Sequence, residues 1–379
     1  MIIDQATAEK RLIKKTEYHA CTEAFLDCRL PGSMPKENYS LIGPGVTQSK
    51  SQVVNLREPH GFNIGAAAMP NGVTNNLHIH FTAEVFICLR GEWMFRWGPK
   101  GEQGTFVARA GDVISVPTWI FRGFTNVGPD NGWLFTCLGE DETGGVIWSP
   151  DIMRAANETG FYLSETNQLI DISSGESLPN GQSFIKPFPE DAIAELKTYS
   201  PDEMRERVLT HQERNFSDRA MLDYVLPGHA VELAPLIGYG LTQERNMHPK
   251  ITNPHGFTIE WLRIPANQCL GSFRINEKMV VIQTKGKMRI DYNDDQHPVS
   301  IHMNAEDTCS ILGETWRKFT NVGDEPVECL LIIAGSHRKY PEFTQEITAK
   351  AKAAGIEKDA SGYLVKTGLI ISPPIAEAI

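Results

Sequence analysis

The apolar residues of this chain fall in short runs rich in Val, Ile, Phe and Trp, cut by Gly, Pro and Asn, as in "VFICLRGEWMFRWG" from Val85 and "DVISVPTWIFRGFTNVG" from Asp112. Runs of that length and composition predict β-strands, and many of them at close spacing predict a sandwich or barrel. Trp93, Phe95 and Trp97 alternate, so they share one face of their strand and read as core or interface. Helices are expected only at the periphery. "SPDEMRERVL" offers Ser200 as N-cap, Pro201 at the first helical position and Glu203 to complete a capping box. "YPEFTQEITAKAKAAG", with Gly355 as its stop, mirrors "SPDIMRAANETG" earlier in the chain. The fold class expected is all-β with peripheral helices.

The runs repeat. "LIGPGVTQ" from Leu41 returns as "LIGYGLTQ" from Leu236, 195 residues on; "PHGF" from Pro59 and Pro254, Gly91 and Gly286 after apolar runs, and "FTNVG" from Phe124 and Phe319 keep the same displacement. With a one-residue shift the likeness extends back to "FLDCRLPG" and "MLDYVLPG". Each copy is therefore roughly 150 residues long. The domain boundaries expected are 1–171 for a first barrel, 172–216 for a linker with a helix, and 217–379 for a second barrel. His60 and His255 lie in the shared "PHGF" and read as servants of the fold. "GPKGEQG" from Gly98 follows no phosphate-loop spacing and reads as a hairpin connection.

One stretch asks for chemistry. In "HIHFTAE" strand alternation sends His78 and His80 to the same face, and Glu84 can join them after a turn. Two neutral imidazoles and a carboxylate on a concave surface suit a divalent metal, Fe(II) above all, with Mn, Ni, Zn or Cu also able to use these donors. The displacement of 195 sets Phe273, Ile275 and Met279 at the corresponding places of the second copy. The second copy thus predicts a barrel without a metal. It also shows that nothing structural obliges the first copy to bury polar groups there, which costs several kcal/mol unless they are satisfied. Phe86 and Cys88 share the parity of Glu84 and are expected in the cavity wall.

These residues carry a resemblance to the bicupins, chains with two cupin double-stranded β-barrels. The first cupin motif, G-x5-H-x-H-x3,4-E-x6-G, is matched by Gly72, His78, His80, Glu84 and Gly91; the second, G-x5-P-x-G-x2-H-x3-N, by Gly111, Pro117 and Asn126. Two positions depart from the family pattern. Trp119 stands where the motif has glycine, and Arg122 where it has its third histidine, the fourth metal ligand. Arginine does not coordinate metals, so at best three protein ligands remain. Three readings of Arg122 stay open: barrel structure, since Arg317 occupies the matching place in the second copy; a partner for a carboxylate or phenolate of the substrate; or a competitor for Glu84. Resemblance to gentisate and quercetin dioxygenases implies cleavage of a C–C bond in a small aromatic or enolic substrate, with Arg122 anchoring an anionic group and Trp119, Phe86 and Cys88 shaping the pocket. The alternatives are a non-oxidative, metal-dependent lyase, isomerase or decarboxylase, and a binding barrel without turnover. The resemblance also implies a homodimer or larger homo-oligomer.

Composition narrows the partners. The 379 residues are 41% hydrophobic and 22% charged, ordinary for a globular protein, and the formal net charge of −11 opposes attraction to nucleic acid or an anionic membrane. A small-molecule substrate is expected. No segment approaches the roughly 20 apolar residues of a membrane span, and the start lacks the apolar core of a secretory signal, so a cytoplasmic location is expected. Seven cysteines with no C-x-x-C pair read as buried thiols rather than a disulfide framework.

Overall fold

A computed structural model describes residues 1–294 and 296–369. The chain forms two compact units, one spanning Glu17–Glu213 and one made of Met1–Thr16 with the residues from Arg214 onward. The first contains a five-stranded sheet in the order Ile147–Trp148, Thr74–Ile79, Arg122–Asn126, Glu92–Trp97, Gly104–Arg109. Its larger sheet runs Val208–Leu209, Val113–Val116, Glu84–Arg90, Gly132–Gly139, Phe62–Met69, Glu37–Ile42, Val54–Leu56. The second unit repeats this order without a strand matching Val54–Leu56 among the described residues, and with Leu12–Ile13 at the sheet edge that Val208–Leu209 takes in the first.

Alternation builds each core. Phe86, Ile114 and Leu134 of one sheet meet Trp93, Phe95, Trp97 and Phe124 of the other in a single apolar cluster. The second unit does the same with Met279, Val281 and Leu331 against Phe273, Met288 and Phe319. Each such side chain contributes about 1.5–3 kcal/mol through its burial. The shared glycine after the apolar run is set by geometry: Gly91 has φ of 88°, and a Cβ there would lie 2.8 Å from the Gly132 Cα, so no other residue fits the turn.

The helices lie where the caps predict them. Pro201–Arg205 carries the complete Ser200/Glu203 capping box. Pro150–Glu158 and Gln345–Ala353 occupy matching places, and Gly355, with φ of 91°, follows the latter. All seven cysteines are free and buried. No described helix is long and apolar enough to cross a membrane.

The boundaries differ from those read in the sequence. Met1–Thr16 belongs to the second unit, where Ile3 and Ala8 join the core. The segment expected as a linker packs instead on the first unit as far as Glu213: Phe188, Ile193 and Leu196 cover Leu77, Ile79 and Phe121. The physical reason is edge protection: the short strands Leu12–Ile13 and Val208–Leu209 each close a sheet margin that would otherwise present unpaired backbone groups.

Candidate active site in the first barrel

The strand Thr74–Ile79 carries His78, and Arg122, which opens the strand Arg122–Asn126, lies across from it in register. Glu84 opens the strand Glu84–Arg90 of the other sheet. His80 follows the first of these strands, and its ring centroid is 4.9 Å from that of His78. All four side chains are buried.

Their bonding resolves what spacing left open about Arg122. Its Nη2 and Nε donate to Glu84 Oε2 at 2.7 and 3.1 Å, and its Nη1 donates to the backbone carbonyls of His78 at 3.1 Å and Ile120 at 3.5 Å. Burial pushes the Glu84 carboxyl up, to about 8, and lowers the Arg122 guanidinium. The two hydrogen bonds between them work against that effect, each favouring the other's charged form. The other carboxylate oxygen, Oε1, is 3.4 Å from His80 Nε2. His80 Nδ1 is buried without a hydrogen-bond partner.

His78 Nδ1 lies 2.6 Å from the Asn76 carbonyl oxygen. A carbonyl only accepts, so Nδ1 carries the proton and Nε2 the lone pair; the longer 3.4 Å approach of the Asn75 amide to the same nitrogen does not compete. Burial, reinforced by the charge of Arg122, drives the His78 pKa well below its ordinary value. The ring is neutral throughout the physiological range.

A cavity of about 50 Å³ is bounded by His78, Glu84, Phe86, Lys36 and Asn75 among others. Lys36 is the residue that sequence reading missed. Its ammonium pairs with buried Asp27 and donates to Asn75 Oδ1 at 2.8 Å. The signal was available: the aspartate recurs in both copies of "LD" at Asp27 and Asp223, but only the first has a lysine nine residues on. Roomier clefts, of about 620 and 650 Å³, belong to the second unit and contain neither His78 nor Glu84. Chemistry rather than volume therefore picks out the small cavity.

The remaining expected site residues divide. Phe86 bounds the cavity, but Cys88 and Trp119 do not, and neither does Arg122. Cys88 has the right parity, yet two residues along a strand is about 7 Å, and it is buried in the apolar cluster beyond Phe86. Trp119, with a φ of 60°, is 45% exposed, and its ring is 5.2 Å from that of Phe81 in an edge-on contact. Arg122 is spent on Glu84 and so has no fork to offer a substrate.

A divalent ion would need His78, His80 and Glu84 to converge. Among the described residues no three His, Cys, Asp or Glu side chains are arranged to hold one. The carboxylate is committed to a guanidinium whose charge repels a second cation. The donor set does not fit a metal. In the second barrel Phe273, Ile275 and Met279 are all buried in the core, as the repeat predicted.

Two tandem cupin barrels define the class: the fold is that of the bicupins. The solved structures similar to this chain include an oxalate decarboxylase of Lactobacillus farciminis in complex with formate, with a TM-score of 0.55 and 13% identity over 90% of each chain. Variants of Bacillus subtilis oxalate decarboxylase OxdC match with a TM-score of 0.53 and 13% identity, over 89% of this chain and 79% of theirs. One further structure of that enzyme concerns its Mn(II) centres. At such identity the likeness is one of fold. No protein-family model matches the chain, and no curated protein does.

Proposed function

We propose that the first barrel binds a small organic acid and converts it without net oxidation, as a decarboxylase, lyase or isomerase does. The observation that carries this reading is the wall of the small cavity, where a neutral imidazole with its lone pair on Nε2 stands with the Lys36 ammonium and the Glu84 carboxylate among apolar side chains. A neutral base can take a proton from the substrate or hold one for return to it. The ammonium favours the anionic end of an acid, and a volume near 50 Å³ admits only a few heavy atoms. The likeness to oxalate decarboxylases adds a fold on which such chemistry occurs.

Dioxygenation, the leading expectation from resemblance, draws less support, because the carboxylate that would complete a three-ligand iron site is bonded to Arg122. A binding barrel without turnover is the second reading, and the same Glu84–Arg122 pair favours it by closing the site with its own charges.

The test is anaerobic incubation with short carboxylic acids, oxalate among them, with products followed by NMR and dioxygen by electrode in a parallel aerobic run. Conversion without dioxygen uptake is expected, with His78→Gln lowering kcat by about 10²–10⁴. Stoichiometric consumption of dioxygen overturns the reading. Retention of an acid without turnover favours the binding barrel.

A further inference from the structure

The internal repeat supplies a built-in control for Arg122. In the second barrel Arg317 is equally buried and donates through Nε and Nη2 to the Thr315 carbonyl at 3.0 and 2.8 Å, and to that of Leu312 at 3.2 Å. Ile120, whose carbonyl Arg122 approaches, holds the place of Thr315 in the repeat. Bonding to the carbonyl two residues before it is therefore the arginine's contribution to the barrel in both copies. Subtracting it leaves two features peculiar to the first copy, the bond to the His78 carbonyl and the two hydrogen bonds to Glu84 Oε2.

Those bonds place a permanent positive charge on the carboxylate beside the two histidines. Guanidinium keeps its proton where other side chains lose theirs, and here its partner is buried beside it. The cation on the cavity wall, Lys36, is matched by its own carboxylate, Asp27. Glu37, the remaining carboxylate on the wall, accepts the Tyr39 hydroxyl at 2.6 Å.

We infer that Arg122 is the resident cation of the first barrel, occupying with its guanidinium the electrostatic role a metal ion would fill and keeping divalent ions out. This rests on assigning the site to the first barrel, not on the reaction proposed for it. It makes Arg122 a positioning residue that orients Glu84. Binding or turnover is then indifferent to chelators, since the charge is covalently part of the chain.

The experiment loads the full chain with Mn(II) under anaerobic conditions, removes free ion by gel filtration, and counts bound manganese by mass spectrometry and electron paramagnetic resonance. Wild type is expected to keep less than about a tenth of an ion per chain, whereas Arg122→His and Arg122→Gln keep about one, lost again on adding His78→Ala. Circular dichroism checks that each variant is folded. Wild type holding about one ion, lost on His78→Ala, overturns the inference, as do folded Arg122 variants that stay empty. If neither variant folds, retention by wild type decides alone: an empty wild type sustains it, and a wild type holding about one ion sinks it. The metal count is independent of the turnover assay, so the failure of one proposal is read separately from failure of the other.

Discussion

Glu84 and Arg122 depend on each other more than on the barrel around them. Removing one partner of a buried pair costs about 3–5 kcal/mol, because the survivor keeps an uncompensated charge out of water, whereas replacing both by apolar groups of similar volume is often neutral. Glu84→Gln is accordingly expected to destabilise by about 3–5 kcal/mol in urea unfolding, and Glu84→Met with Arg122→Met to recover most of that. Equal losses in the single and double variants would mean that the barrel, not the pair, suffers. The histidines of the repeated "PHGF" illustrate the opposite case. His60 and His255 each place Nδ1 on the carbonyl two residues before, at 2.5 and 2.7 Å, with the ring 5.8 Å from Phe62 or Phe257. The same device in both copies serves the turn, as the repeat indicated. Asn126 and Asn321 likewise each tie down two backbone carbonyls and one amide. Spacing located the polar trio because the second copy fills its places with Phe273, Ile275 and Met279. It could not say which acceptor an arginine with five donors would choose.

At the level of elements, the buried aspartate before each barrel shows how one backbone anchor takes different partners. Asp27 accepts the Asn76 amide at 3.0 Å and Asp223 the Gly271 amide at 2.7 Å, the same strand position in each copy. The cation differs: Lys36 in the first, His229 at 2.7 Å in the second. The hydrogen bond that His229 donates to Asp223, aided by Cys269, raises the His229 pKa to about 9. An unfolded histidine titrates near 6.5, so between these values the folded chain binds more protons than the unfolded one. Stability from this pair is thus full below about pH 6.5 and is lost as pH rises toward 9. His229→Gln is expected to flatten that part of the curve, measured as the difference in urea midpoint from wild type between pH 6 and about 9.5; an unchanged difference would remove the pair from the account. Parity along a strand served well for Trp93, Phe95 and Trp97, all buried in the core. For Cys88 it failed, since parity fixes the side of a sheet and not the distance along it.

For the whole molecule, the repeat made two barrels legible, but the exchange of leading segments left no trace in the pattern. Leu12–Ile13 and Val208–Leu209 are two residues each, too short to show a period, and each borders a stretch that reads as polar. Deleting residues 1–16 is expected to loosen the second barrel and leave the first intact: amide exchange should rise across Thr308–Ile311, the strand paired with Leu12–Ile13, and stay unchanged across Val113–Val116. Faster exchange in both would mean that the segment acts on the fold at large.

That exchange bears on the order in which the protein is made. Met1–Thr16 leaves the ribosome before the strands this segment completes, which emerge some 300 residues later. Its apolar anchors Ile3 and Ala8 must therefore wait, while that intervening chain is translated, for a surface to settle on. Anything that captures them in the interval competes directly with assembly of the later barrel.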